Sequence, residues 1–189
     1  MATHLETNSD SLVRNKTVLE LGAGAGLPSL VSALHGAKHV VVTDYPDAEL
    51  VKNLRWNIDH CAQLPTPSNI EAKGYLWGAQ TTDLTSGLPD GNKKFDLLIL
   101  ADLLFNHSEH TKLVSTVQQT LKQEPGAQAL VFFTPYRPWL LRKDLTFFDL
   151  ARESGLNVEK IFEHVMEKVM FEEDPGVGFP NDCTTGIRS

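Results

Sequence analysis

From Glu20 to Gly26 the chain reads E-L-G-A-G-A-G, with glycines at 22, 24 and 26, an apolar strand signal before them and Pro28 after. Glycines in this rhythm let the backbone turn sharply and approach a ligand closely, because no Cβ stands in the way. Two common ligand chemistries fail on spacing. A dinucleotide turn needs G-x-G-x-x-G/A, whose third small residue lets the helix pack tightly. Counted from Gly22 that position is Leu27, and counted from Gly24 it is Ser29. A phosphate loop ends in Gly-Lys-Ser/Thr, and none follows. An acid does follow: Asp44 ends the next strand signal. A carboxylate there can accept both hydroxyls of a ribose; its competing role is to cap a helix opening at Pro46. Tyr45 beside it could flank an aromatic base or simply pack.

These residues need elements to position them. TVLEL (17–21) and HVVVTD (39–44) read as short buried strands. Pro28 suits the first turn of a helix between them, with Leu27, Leu30, Val31 and Leu34 as its apolar stripe and Gly36 as its stop. A second helix from Pro46 carries Leu50, Leu54, Ile58 and Cys61 on one face, and LPTPSN breaks the chain after it. Strands are expected at 70–77, at 95–102 and at 129–136, with helices over 107–123 and 139–154. Residues 157–170 fit either a helical stripe or a strand; the alternation of elements favours a strand through about residue 164. The order predicts an α/β, Rossmann-like, doubly wound and mostly parallel sheet. Its ligand crevice should lie beyond the carboxyl ends of strands one and four, where the strand order reverses.

Composition narrows the class. A chain of 189 residues fits one domain with a real core. Its 17 Lys+Arg against 24 Asp+Glu disfavour nucleic acid as the main partner and tolerate a cationic one. Cys61 and Cys183 make neither a metal spacing nor a disulfide framework. No apolar run approaches a membrane span, and MATHLETNSD lacks a signal-peptide core. A soluble, cytoplasmic protein without a membrane partner is the expectation.

The stretches KTVLELGAGAGLPSL, VVVTDYPD, LVKNLRWNI, YLWG, DLLILADLLFNHSEH, FFTPYRP and MFEEDPG together resemble one branch of the class I, seven-strand S-adenosylmethionine-dependent methyltransferases. The resemblance runs from about Leu5 to Gly176, and NHSEH and FEEDPG are its most specific pieces. That branch contains the protein-lysine methyltransferases. The nearest likeness is to fungal members acting on translation elongation factor 1-alpha, a group once named for nicotinamide N-methylation. The resemblance implies S-adenosyl-L-methionine as cofactor and a protein substrate, methylated on its N-terminal glycine and the adjacent lysine. It implies cofactor contacts at Gly22, Ala23, Gly24, Asp44, Trp77 and Ala101, to which the glycine motif adds Glu20 and Gly26 and the place beside Asp44 adds Tyr45, and it matches an Asp-x-x-Tyr/Phe element to Asp102 through Phe105.

Methyl transfer from a sulfonium to an amine asks mainly for orientation and a deprotonated nucleophile. Aromatic walls can hold and desolvate the amine. Asp102, Phe105 and Tyr136, at the tips of the fourth and fifth strands, are the candidates for this work. The alternatives are a solvated strand end for Asp102 and an anchor of the TPYRP turn for Tyr136. Asn106 with Glu109 resembles a helix-capping pair. His107 and His110 lack a third ligand in the sequence around them, so no metal is expected. Glu172, Glu173 and Asp174 form a solvated loop or attract a lysine-rich substrate; Trp56 is expected to pack its helix. Two further expectations follow from comparing the chain with that branch: it begins too late for a closing N-terminal segment, and it stops before a final antiparallel strand between strands five and six. The alternatives to a protein substrate are nicotinamide and a shortened, non-catalytic binding module.

Overall fold

The computed structural model describes residues 1–91, 93–164 and 183–188. Its strands are β1 Thr17–Leu21, β2 His39–Asp44, β3 Ile70–Gly74, β4 Leu97–Ala101, β5 Gln128–Phe133, β6 Asn157–Glu163 and β7 Cys183–Arg188. Among the described residues they form one seven-stranded sheet in the order β3-β2-β1-β4-β5-β7-β6. β1 to β5 are parallel, with Leu21 level with Leu100 and Ala101 level with Phe132. β1 is buried along its whole length, because helices cover both faces and an unbroken apolar run is what such a strand requires.

Helices α1 Ala2–Thr7, α2 Ser9–Leu12, α3 Leu27–Leu34 and α4 Ala48–Asp59 precede α5 Thr82–Thr85, α6 His110–Thr120 and α7 Leu141–Glu153. Alternate strand residues point to opposite faces, so two cores result. Val18, Val40, Val42, Leu97 and Ile99 pack with Leu5, Ala33 and Leu54 on one side. Leu19, Leu21, Leu98, Leu100 and Val131 pack with Leu84, Leu113, Val117 and Phe147 on the other. Strand order reverses between β1 and β4, and the crevice expected there is present.

Several local expectations are corrected. The buried face of α3 is Ser29, Ser32 and Ala33, while Leu27 and Leu34 are exposed. Small side chains bring this helix close to the sheet, and the serine hydroxyls are satisfied by Glu20 and by the Pro28 carbonyl. β3 stops at Gly74, where an added Cβ would lie 2.9 Å from Pro46 Cα. The segment 107–109 is a 3-10 turn ahead of α6, and α6 ends at Thr120. Trp56 is exposed and stacks on His60 of its own chain segment rather than packing inward. The strand favoured from residue 157 to about 164 is borne out as β6, Asn157–Glu163.

The largest correction concerns the expected missing strand. β7 lies between β5 and β6 and runs antiparallel to both, with Thr185 level with Val131 on one side and Lys160 on the other. A gap there would leave two rows of backbone donors and acceptors unpaired. Ahead of β1, α1 and α2 seat Leu5 and Val13 fully in the core, two helices that the strand-and-helix reading passed over. The acidic run 172–174 and FEEDPG lie outside the described residues.

Candidate active site

Beyond the end of β1 the chain turns through Gly22 and Gly24, with φ of 59° and 56°, a region that disfavours any side chain. The turn is held from below. Glu20 is fully buried and its carboxylate accepts the Ser29 backbone N–H (2.9 Å) and hydroxyl (2.5 Å), which ties β1 to the first turn of α3. Burial pushes the Glu20 carboxyl up to about 8 against the pull of those two hydrogen bonds, with the nearby Asp44 charge raising it further. Glu20 is therefore a support beneath the turn and does not line the cleft. Ala23 donates its N–H to the Thr43 carbonyl (2.9 Å). An added Cβ on Gly26 would meet Leu54 (3.0 Å) and Val42 (3.3 Å), so this glycine serves helix packing.

Gly22 and Gly24 line a cleft of about 580 Å³, together with Asp44, Tyr45, Trp77, Ala101, Asp102 and Phe105. Asp44 accepts the Gly24 N–H on Oδ2 (2.7 Å) and the Tyr45 N–H on Oδ1 (2.7 Å). Each carboxylate oxygen retains acceptor capacity for a hydroxyl. The competing capping role falls to Asp47, which accepts the N–H groups of Glu49 and Leu50 at the start of α4. Tyr45 is largely exposed at the rim, and Trp77 is half-buried against the core.

The tip of β4 forms the other wall. Asp102 has φ of 56°, an uncommon conformation for a residue with a side chain. It is fastened to β5: its N–H donates to the Phe132 carbonyl (2.7 Å), and Oδ1 accepts the Thr134 N–H (2.9 Å). Its Oδ2 accepts the Tyr136 hydroxyl (3.1 Å). Tyr136 thus bears on the site through Asp102 and is not among the cleft's lining residues. Phe105 projects at the rim, 56% exposed.

What holds the 103–109 segment was not legible in the sequence. Buried His110 bonds the Leu104 carbonyl through Nε2 (2.9 Å), and Arg137 donates to the Phe105 carbonyl (3.3 Å). His107 pairs with Asp144 of α7 at 2.6 Å. The two histidines of NHSEH are thereby engaged in fastening the loop. The expected capping pair does not form: Asn106 accepts the Ser108 hydroxyl, Glu109 pairs with Lys112, and α6 has no side-chain cap. Tyr75, Leu76, Leu103, Asn106, Ser108 and Glu109 also line the cleft. All six fall in the YLWG and DLLILADLLFNHSEH stretches, but none of them is marked there as lining the site.

A cofactor's fit can be judged from the turn itself. An added Cβ on Gly22 would lie 2.6 Å from Leu103, whereas on Gly24, which lines the cleft, it would meet nothing within 4 Å. Open space beside a bare backbone, facing a carboxylate with acceptor capacity to spare, suits an adenosyl group that carries no phosphate. Solved structures share the fold. A TehB-like S-adenosylmethionine-dependent methyltransferase from Corynebacterium glutamicum aligns with TM-score 0.66 at 16% identity, covering 97% of this chain and 86% of that one. The N-methyltransferase NodS from Bradyrhizobium japonicum aligns with TM-score 0.64 at 15% identity, over 100% and 93%. The architecture is that of the Rossmann-like methyltransferases.

The lysine methyltransferase family model matches residues 1–154, and the chain belongs to that family. Its methyl donor is S-adenosylmethionine, and it is an N-methyltransferase. Relatives named protein N-terminal and lysine N-methyltransferase are 51% identical in Aspergillus fumigatus (93% of this chain, 68% of the relative) and 55% in Neurospora crassa (87% and 61%). Another so named, in Schizosaccharomyces pombe, is 49% identical (93% and 68%). The chain spans between 61% and 68% of the length of these three.

Proposed function

We propose that residues 1–189 work as one methyltransferase domain that methylates a protein at its N-terminal α-amine and at a lysine. The substrate proposed is translation elongation factor 1-alpha, at its N-terminal glycine and the adjacent lysine, in the cytoplasm. Relatives about half identical are named protein N-terminal and lysine N-methyltransferase, which supports the α-amine and the lysine as acceptors. Among the described residues no helix is long and apolar enough to cross a membrane. The observation that carries the reading is the continuity of one cleft from Asp44 and Gly24 to Asp102 and Phe105. One end offers a ribose acceptor, and the other offers a carboxylate and an exposed aromatic ring.

In this reading Gly22, Ala23 and Gly24 form the backbone cradle, with Glu20 and Gly26 setting its shape. Asp44 accepts the ribose hydroxyls, Tyr45 and Trp77 flank the adenine, and Ala101 closes the floor. Bound there, S-adenosylmethionine would supply an electrophilic methyl group on a sulfonium, which the acceptor amine would take up with loss of its surplus proton to water. The protein contributes orientation and desolvation. Phe105 presents a π-face to the amine, and Asp102, held by Thr134 and Tyr136, orients it. Turnover should rise with pH as the acceptor amines deprotonate.

The test is turnover with methyl-labelled cofactor on a peptide beginning glycine–lysine, with nicotinamide as a parallel substrate. Label on both the α-amine and the lysine is expected. Methylation of nicotinamide alone would overturn the protein-substrate reading.

A further inference from the structure

A second hollow of about 480 Å³ opens beside the cleft. The cleft spans the tips of β3, β2, β1 and β4, whereas the hollow spans those of β4, β5 and β6 beneath α1. Both are lined by Ala101 and Asp102. Two chambers meeting at one carboxylate is the arrangement an in-line transfer needs, since the attacking atom must approach from the side away from the leaving sulfur.

The hollow's wall is aromatic and its rim is polar. His4 lies 5.4 Å from both Phe132 and Phe162, ring centre to ring centre, and the two phenylalanines are 5.5 Å apart. The three rings come from α1, β5 and β6, so the wall is built from distant parts of the chain. Asn8 gives its amide nitrogen to the His4 carbonyl (2.8 Å), which leaves its amide oxygen to accept from a ligand. At about 480 Å³ the hollow is in the range of ordinary ligand pockets and has room for the first few residues of a chain.

We propose that this hollow is the acceptor subsite: it receives the free N-terminus of the protein substrate end-on. The first residues lie along His4, Phe132 and Phe162, Asn8 bonds their backbone, and the α-amine reaches Asp102. The inference rests on the function proposed above and says where that substrate binds.

The experiment uses a ten-residue peptide beginning glycine–lysine, labelled at its carboxyl end, with binding read by fluorescence anisotropy without cofactor and with S-adenosylhomocysteine. Phe162→Ala and Asn8→Ala should each weaken peptide binding at least fivefold. Thr7→Trp, on an exposed residue that lines the hollow, should block it at least tenfold without threatening the fold. Calorimetry of S-adenosylhomocysteine should be unchanged in all three. An N-acetylated peptide, and one with the lysine internal, should bind at least tenfold more weakly. The proposal fails if Thr7→Trp and Phe162→Ala bind like the wild type, if the acetylated peptide binds as well as the free one, or if the wild type binds no peptide. Peptide and S-adenosylhomocysteine binding without methyl transfer would remove the proposed activity and leave the subsite. Methylation indifferent to Thr7→Trp would do the reverse.

Discussion

Gly22 and Gly24 have nearly the same backbone conformation, yet alanine should damage them differently. Both φ values, 59° and 56°, place a Cβ in the left-handed region, at roughly 1–2 kcal/mol each. At Gly24 nothing lies within 4 Å of the new atom, so that is the whole effect on stability. At Gly22 the Cβ would sit 2.6 Å from Leu103 Cδ2 and 3.1 Å from Trp77 Cζ2, and Leu103 is buried. Overpacking of this kind adds about 1–3 kcal/mol. Gly22→Ala should therefore lower stability by roughly 2–5 kcal/mol in total. For a chain of this size 1 kcal/mol moves Tm by about 2–4 °C, which predicts a fall of roughly 2–8 °C for Gly24→Ala and about 4–20 °C for Gly22→Ala. Cofactor affinity should reverse the ranking of visible effects. Gly24 lines the cleft, so if the cofactor lies against its backbone the folded Gly24→Ala protein should bind S-adenosylhomocysteine at least tenfold more weakly, about 1.4 kcal/mol. Thermal melts and calorimetry on both variants are the assay. Wild-type affinity in folded Gly24→Ala would refute the placement of the cofactor, and equal melts for the two variants would refute the steric reasoning.

Asp44→Ala should weaken cofactor binding by about 1.5–3 kcal/mol, the range for charge-assisted hydrogen bonds, while circular dichroism stays native; unchanged affinity by calorimetry removes the ribose assignment. Phe105→Ala should lower turnover more than cofactor affinity, and equal losses would mean that the ring belongs to the adenosyl pocket or to the fold. Glu20, ordinarily near 4.5 and held up at about 8 by burial, is protonated in the fold across a window in which the unfolded chain has lost its proton. Its contribution to stability is present below about pH 4.5 and is lost as pH rises toward 8. Glu20→Gln should flatten that stretch of a Tm-against-pH curve, and parallel curves would show that burial does not govern this group.

Much of the donor side was legible because it is local. An unbroken apolar run is what a doubly covered strand requires, and β1 and β4 carried it. Glycines at 22 and 24 announce a turn that only a bare backbone makes, and Asp44 stands at the end of its own strand. Elements that depend on distant partners left no such mark. CTTGIR has no apolar alternation and becomes β7 because β5 and β6 offer it two rows of backbone partners. Asp44 would cap a helix opening at Pro46, but the helix opens at Ala48, which puts Asp47 in the capping position and leaves Asp44 to the Gly24 and Tyr45 N–H groups. Glu20 looked like a ligand contact from its motif, but a residue level with Ile99 and Val42 in the middle of the sheet can only be buried. His107 and Asp144 are 37 positions apart, and helix packing alone brings them to 2.6 Å. Strand identity and turn chemistry are set by neighbours along the chain, whereas the far wall of the site, from Asp102 through Tyr136 to His4, exists only where separate strands end side by side.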